Sequence, residues 1–231
     1  MRALLLAATA IAALSAAPAN ATLQISALIN GVQFDCADQA GCDTNLAAGQ
    51  LAIADQTIGG VQFLGSAQTQ IIGPTNSLNT SSFQVINNTA VNASIQLAVS
   101  GTDFVGPVSV FSASGSGTFQ SAVGSSIALS FYGDPANAQG ADSPLDLPGA
   151  LLASFSDTAT LAADSFSEDF SGPFVAAGPY SMSLGTTGIL TPGGSLVGRS
   201  QAIVAEVPEP ATLGILGLGL LGLVAARRRH A

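Results

Sequence analysis

Ile95-Gln96-Leu97-Ala98-Val99 sets the reading of this chain, because apolar side chains there recur at every second residue. In an extended chain successive side chains point to opposite faces, so a period of two marks a strand that buries one face. Ile127, Leu129 and Phe131 alternate in the same way with Ala128 and Ser130, and Tyr180, Met182 and Leu184 alternate with Ser181 and Ser183. Shorter runs of this kind fall at Leu23–Ile29, Val61–Leu64, Phe83–Ile86, Val108–Phe111, Leu151–Phe155 and Ala202–Val207. Between them stands turn chemistry: Gly59-Gly60, Gly73-Pro74, Gly101, Gly106-Pro107, Gly133-Asp134-Pro135, Gly172-Pro173, Gly178-Pro179 and Pro192-Gly193-Gly194. Strands recurring at such spacing predict an all-β fold, a single antiparallel sandwich or barrel-like domain over residues 22–206. No repeat emerges. Ala47–Ala54 and Ala159–Asp164 are places for a helical turn, Ser112–Thr118 (SASGSGT) reads as a flexible hairpin or loop, and Gly133–Pro148 reads as a long surface excursion.

The 231 residues suit one medium domain, and charged residues make up 8% of them, about a third of the usual share. Between Thr22 and Val207 lie thirteen acids and one base, Arg199, a net charge of −12. Without cations to neutralise phosphates, a nucleic-acid groove is excluded. With 48% of residues apolar, disorder of the low-hydrophobicity kind is excluded too. The mean hydropathy of +0.49 is raised by the two ends.

Those ends read as addresses. Residues 1–21 have a basic start at Arg2, an apolar run from Ala3 to Ala17 and a small-residue site at Ala19-Asn20-Ala21. This is the pattern of an export signal that signal peptidase removes to leave Thr22 first. The competing reading, an uncleaved membrane helix, has too short an apolar run for a hydrocarbon core of about 30 Å. Residues 207–231 begin Val207-Pro208-Glu209-Pro210, continue as sixteen uncharged residues from Ala211 to Ala226, and finish with Arg227, Arg228 and Arg229 before His230 and Ala231. As a helix the uncharged run would span about 24 Å. The arginines resist translocation and would hold it in the membrane with the body outside. A plain anchor remains an alternative here, while a basic terminus fits a GPI signal poorly.

The order Pro-Glu-Pro, Gly/Leu-rich run, arginine cluster resembles the PEP-CTERM protein-sorting signal. The resemblance covers the last twenty-five residues only. It implies a Gram-negative envelope protein recognised by an exosortase, a membrane-embedded processing enzyme, and then displayed at the surface or held in exopolysaccharide and biofilm matrix. Pro208, Glu209 and Pro210 would then be substrate residues for that enzyme. Independently, the two prolines forbid regular helix and favour the extended backbone that a processing cleft accepts, although a stiff stalk would use them equally.

Chemistry in the body is sparse. Cys36 and Cys42 bracket CADQAGC, and in an exported chain they are expected to pair. Closing so short a loop is worth roughly 2 kcal/mol by chain entropy. The spacing is not the C-x-x-C of redox proteins, and no metal site is expected, since the one imidazole, His230, lies in the tail. The same shortage removes His-activated nucleophiles, and the absence of lysine removes Ser-Lys and Schiff-base chemistry. No catalytic residue and no cofactor is therefore expected. A carboxylate pair drawn from Asp164, Glu168 and Asp169 could still hydrolyse glycosides, but solvated turn acids explain the three equally. The loops Asp35–Asp43 and Asp134–Asp146 offer oxygen ligands for calcium without the spacing of a calcium loop. Three N-x-S/T sequons, at Asn79, Asn87 and Asn92, read as an Asn/Ser/Thr-rich sheet surface. The leading expectation is a non-enzymatic, exported structural or adhesive protein. A calcium-assisted glycan or small-ligand module and a carboxylate-dependent polysaccharide hydrolase are the alternatives. The acidity of the body argues against direct binding to anionic lipid head groups.

Overall fold

The computed structural model describes residues 22–73 and 75–205. Ala19 and Ala21 of the export signal, Pro208, Glu209 and Pro210, and Arg227, Arg228 and Arg229 lie outside the described residues. Thr22 lies inside them and is exposed.

Twelve strands run in chain order: β1 (Leu23–Ile29), β2 (Val32–Ala37), β3 (Gln50–Ile58), β4 (Val61–Ile72), β5 (Thr75–Asn87), β6 (Ala93–Phe104), β7 (Val108–Gln120), β8 (Ser126–Asp134), β9 (Ala150–Thr158), β10 (Ala163–Ala176), β11 (Tyr180–Leu190) and β12 (Ser195–Ala205). They form two six-stranded sheets, ordered β2-β1-β6-β11-β8-β9 and β10-β7-β12-β5-β4-β3. Every pairing is antiparallel. The sheets stack face to face, β2 beside β3 at one margin and β9 beside β10 at the other. Among the described residues no helix is long and apolar enough to cross a membrane.

The alternating residues do what their period demands. Ile95, Leu97 and Val99, Ile127, Leu129 and Phe131, and Tyr180, Met182 and Leu184 all point into the layer between the sheets and are buried there. Aromatic contacts tie the sheets together at the β9/β10 margin, where Phe155 packs on Phe166, Phe131 on Phe170 and Phe174 on Tyr180, with ring centroids 5.6, 6.3 and 5.4 Å apart. Burial pushes the Tyr180 hydroxyl well above its usual pKa, against a smaller opposing effect of the hydrogen bond from Asn76 Nδ2.

Three expectations change. Ala47–Ala54 is a turn running into β3, and Ala159–Asp164 is a bend running into β10, so neither is helical. SASGSGT is not a loop but the middle of β7. Its serines face outward, while Ala113, Gly115 and Gly117 face inward, where larger side chains come from elsewhere. A Cβ on Gly115 would collide with Leu129 Cδ1, and one on Gly117 would stand 2.6 Å from Phe166 Cζ. The glycines are thus sockets for those two core residues. Strands β2 and β10 have no clean apolar alternation because each lies at a sheet margin and buries little, and in β3 a register shift between Ile53 and Gln56 interrupts it.

The excursion after β8 is a loop, as its composition suggests, but it folds back over the outside of the first sheet. Gly140 N donates to Ser100 Oγ at 3.1 Å, Asn137 exchanges hydrogen bonds with Asp103, and Gln33 Nε2 donates to Asp142 O at 3.3 Å. Beneath it Ser26, Ala98, Ser100 and Ser183 are fully buried although they sit on the outer side of their strands. One face of the sandwich is therefore roofed in its centre.

Candidate functional site

The outer face of the second sheet has no such cover. Antiparallel register sets the outward side chains of its strands side by side, so the face can be read row by row. Asp169 lies opposite Ser114, Ser114 opposite Gln201, Gln201 opposite Asn79, Asn79 opposite Gln68, and Gln68 opposite Gln50. This row crosses all six strands, about 24 Å at the usual strand spacing. The next row runs Ser167, Ser116, Arg199. There the pattern breaks: Gly198 pairs with Phe83 but Ser200 pairs with Thr80, and β4 skips the same residue in β5. Ser81 is the extra residue of a bulge. A bulge bends its strand and sharpens the local twist, and it falls where the face is concave.

The two rows line a groove of about 440 Å³, whose walls include Gln68, Asn79, Ser114, Ser116, Arg199 and Gln201. Toward the end of β12 the next rows turn apolar, with Ile203 between Ser112 and Ser77, then Val110 beside Ala205 and Pro173. The groove is thus a polar band bounded by an apolar margin. Asn79 makes one long bond to Ser77 Oγ, at 3.5 Å, while Gln68 and Gln201 make no side-chain hydrogen bond among the described residues. Each free amide offers two donors and an acceptor. Arg199 Nε donates to Ser116 Oγ at 3.2 Å, which fixes the guanidinium and leaves its two terminal nitrogens for the groove.

The residues expected to carry chemistry are dispersed. Asp164 and Asp169 are five residues apart on one strand and so lie on opposite faces of β10. Asp164 and Glu168 share a face but are separated by about 13 Å of backbone, beyond the separations of glycoside hydrolysis. Hydrogen bonds from Thr160 N and Oγ1 hold the Asp164 carboxyl below its usual pKa range, making it the cap of a turn. Of the three acids, only Asp169 lines the groove.

The expected disulfide is present, Cys36 to Cys42, with Cα atoms 5.9 Å apart. The loop it closes contains Asp38, and Asp43 follows it directly. Asp38 Oδ2 accepts from Gly49 N at 2.7 Å, while its Oδ1 is buried without a partner. Asp43 is tied to its own loop: Oδ1 accepts from Asn45 N and Ala52 N, and Oδ2 from Gln39 N. Asp134 likewise accepts from Ala136 N and Ala138 N. Among the described residues no three metal-ligating side chains come together. Burial disfavours ionised Asp43, but the backbone hydrogen bonds outweigh it and hold the carboxyl below 3.8. The sign follows: its stabilisation is full above the unfolded value and is lost as pH falls through the lower, folded one. Acid unfolding is therefore expected to steepen below about pH 4, and Asp43→Asn is expected to flatten that limb while lowering stability at neutral pH. Denaturant midpoints measured from neutral pH to pH 3 check both.

The three sequons separate on inspection. Asn92 is exposed and Asn79 lies in the groove. Asn87 is fully buried and serves as a structural hub.

No curated protein matches the chain. Among solved structures, TmCBM61 in complex with β-1,4-galactotriose aligns with a TM-score of 0.37 at 12% identity, over 68% of this chain and 88% of that one. The C-terminal family 22 carbohydrate-binding module of Clostridium thermocellum Xyn10B aligns at 0.31 and 14%, over 78% and 98%. The family 11 carbohydrate-binding module from Clostridium thermocellum aligns at 0.29 and 10%, over 80% and 98%. All three are distant likenesses. The tail gives a family-model match of a different kind, which fits the order of its proline, apolar and arginine segments: residues 206–229 carry the PEP-CTERM protein-sorting motif.

Proposed function

We propose that this chain is an exported, non-enzymatic adhesive protein, sorted through its tail to the cell envelope, that holds hydroxyl-rich polysaccharide on the outer face of its second sheet. The observation that carries the reading is the six-strand row Asp169, Ser114, Gln201, Asn79, Gln68, Gln50, of which all but Gln50 line an uncovered groove. Sugars present paired hydroxyls that donate and accept, and amide, hydroxyl and carboxylate side chains match both roles. With no tryptophan in the chain, such binding rests on hydrogen bonds more than on stacking, and affinity comes from many contacts along an extended polymer. Calcium is no part of this proposal: in the candidate loops Asp43 and Asp134 are taken up by backbone amides, and Asp35 by Ser26 and Gln33. The unpaired Asp38 oxygen is a single ligand.

The sorting motif supports export and processing by an exosortase. In that sequence of events signal peptidase cuts before Thr22, Pro208-Glu209-Pro210 is presented to the exosortase, and Arg227, Arg228 and Arg229 hold the apolar run in place until then. Intact mass and terminal peptides of the protein from its own culture are expected to show a chain beginning at Thr22 and ending between Val207 and Ala211. A chain still carrying Arg227–Ala231 would point to a permanent anchor instead. The binding half is tested by retention of the full chain in affinity gels containing soluble polysaccharides. Retardation by at least one polymer is expected, without release of reducing ends. Unretarded migration through all of them would count against the groove.

A further inference from the structure

Building on the groove reading, we infer that Arg199 makes the site selective for glycans bearing a carboxylate, polymers that contain uronic acid units among neutral sugars. Arg199 is the only cation among the described residues, in a body of strongly negative charge, and it stands in the polar groove. A lone arginine on an acidic surface would satisfy its charge most simply against a neighbouring acid. This one does not: it is held by a neutral partner, Ser116 Oγ. In the outward rows from Ser165 to Ser171 on β10 across to Gln62–Gln70 on β4, the other ionised side chain is Asp169. It lies two strands and two residues away, roughly 11 Å along the backbone grid.

The guanidinium is therefore held on its Nε edge, oriented, and without an acidic partner. A planar fork in that state matches a carboxylate through two parallel hydrogen bonds, which an ammonium cannot reproduce. The amide row beside it would take the hydroxyls of the same and the neighbouring sugar rings. Asp169 sets a boundary on the other side. It accepts from hydroxyls and repels a second carboxylate, so the groove suits one anionic unit flanked by neutral ones. The net charge of the body works in the same direction, since a densely charged polyanion is repelled at long range while a short-range fork contact survives.

The test compares a partly de-esterified polygalacturonate methyl ester, whose free carboxylates stand among uncharged units, with the full methyl ester, which keeps the backbone and loses the charge. The full chain, R199A, R199K and the double variant N79A/Q201A are each run in affinity gels of both polymers at low ionic strength. The expected result is a preference of about tenfold or more for partly de-esterified polymer over the full ester. R199A is expected to abolish that preference, weakening binding of the acid polymer far more than binding of the ester, and R199K to recover only part of it. Protonating the polymer by lowering the pH should also remove the preference. Equal binding of acid and ester by the full chain, or equal loss of both in R199A, would overturn the inference. If N79A/Q201A loses both polymers in that case, the groove still binds glycan and only the selectivity falls. If N79A/Q201A binds both as the parent does, the groove reading falls with it.

Discussion

With alanine at both Asn79 and Gln201, affinity for a retained polysaccharide is expected to fall about 100-fold while the melting temperature stays within about 2 °C. The magnitude follows from counting. Each amide presents both donor and acceptor to the groove, a net hydrogen bond is worth about 1 kcal/mol, and two or three lost bonds amount to roughly two decades in a dissociation constant. The stability side follows from position. Among the described residues the Gln201 side chain has no hydrogen bond and that of Asn79 has one long bond, to Ser77 Oγ at 3.5 Å, so their truncation costs the fold little. The two residues face each other across β12 and β5, so their effects should couple when the single variants are compared with the double. Affinity electrophoresis read beside a thermal melt separates the two outcomes. A loss of binding accompanied by a large fall in melting temperature would assign these amides to the fold rather than to a ligand.

The opposite behaviour is expected at Asn87, whose replacement by alanine should cost about 3–4 kcal/mol and leave binding by the surviving folded protein unchanged. Asn87 is fully buried. Its Nδ2 donates to Val91 O and Leu190 O, both at 2.8 Å, and its Oδ1 accepts from Thr89 N and Thr89 Oγ1. The backbone joins in: Asn87 N donates to Gly194 O, and Gly193 N donates to Asn87 O. One side chain thus pins the β5–β6 connection to the end of β11, across the two sheets. Alanine would remove four bonds and leave two carbonyls with a partner lost, against the modest gain of burying a methyl. Urea midpoints of the variant measure the cost, and a fall smaller than about 1 kcal/mol would mean that water replaces the amide without difficulty. Glycosylation at this sequon would require the same hub to be dismantled, so a sugar here is not compatible with the folded chain.

These two asparagines show where the sequence was legible. Alternation exposed the buried strands because burial on one face leaves a period-two trace, as at Ile95–Val99 and Ile127–Phe131. It failed for β10, whose inward positions are Asp164, Phe166, Glu168, Phe170, Gly172 and Phe174. A margin strand covers only part of its inner face, so acids sit between the phenylalanines. It failed differently in β7, where serine and glycine have the composition of a linker, yet the glycines make room for Leu129 and Phe166. Composition alone cannot tell a flexible Ser-Gly stretch from a strand whose inner face is filled by its neighbours.

The binding face was less legible still. Arg199 stood out as the lone base, Asp169 as part of an acidic group and Asn79 as part of a sequon, each for a reason unrelated to the groove. Ser114 and Ser116 stood out only as part of the linker-like SASGSGT, and Gln68 and Gln201 carried no local signal. They become neighbours through the order β10-β7-β12-β5-β4, in which only β4 and β5 are consecutive in sequence. Amides at matching outward positions of several strands form a row only once that order is known. The roof over the first sheet was equally hidden, because Ser26, Ser100 and Ser183 look like solvent-facing serines until the loop after β8 is folded over them.

Binding of glycan on the second sheet's outer face would be read out by the amide spectra, side-chain and backbone, of isotopically labelled protein. Titration with a retained polysaccharide is expected to shift the amide resonances of Gln68, Asn79 and Gln201 and the guanidinium resonance of Arg199 along one binding curve. The amide of Gln96, on the outer face of the first sheet beside Thr187, should stay in place. Shifts of the Gln96 side-chain amide and of the backbone amides of Ser126 and Ser156 around it, with Gln68, Asn79 and Gln201 unmoved, would transfer the site to the other side of the sandwich.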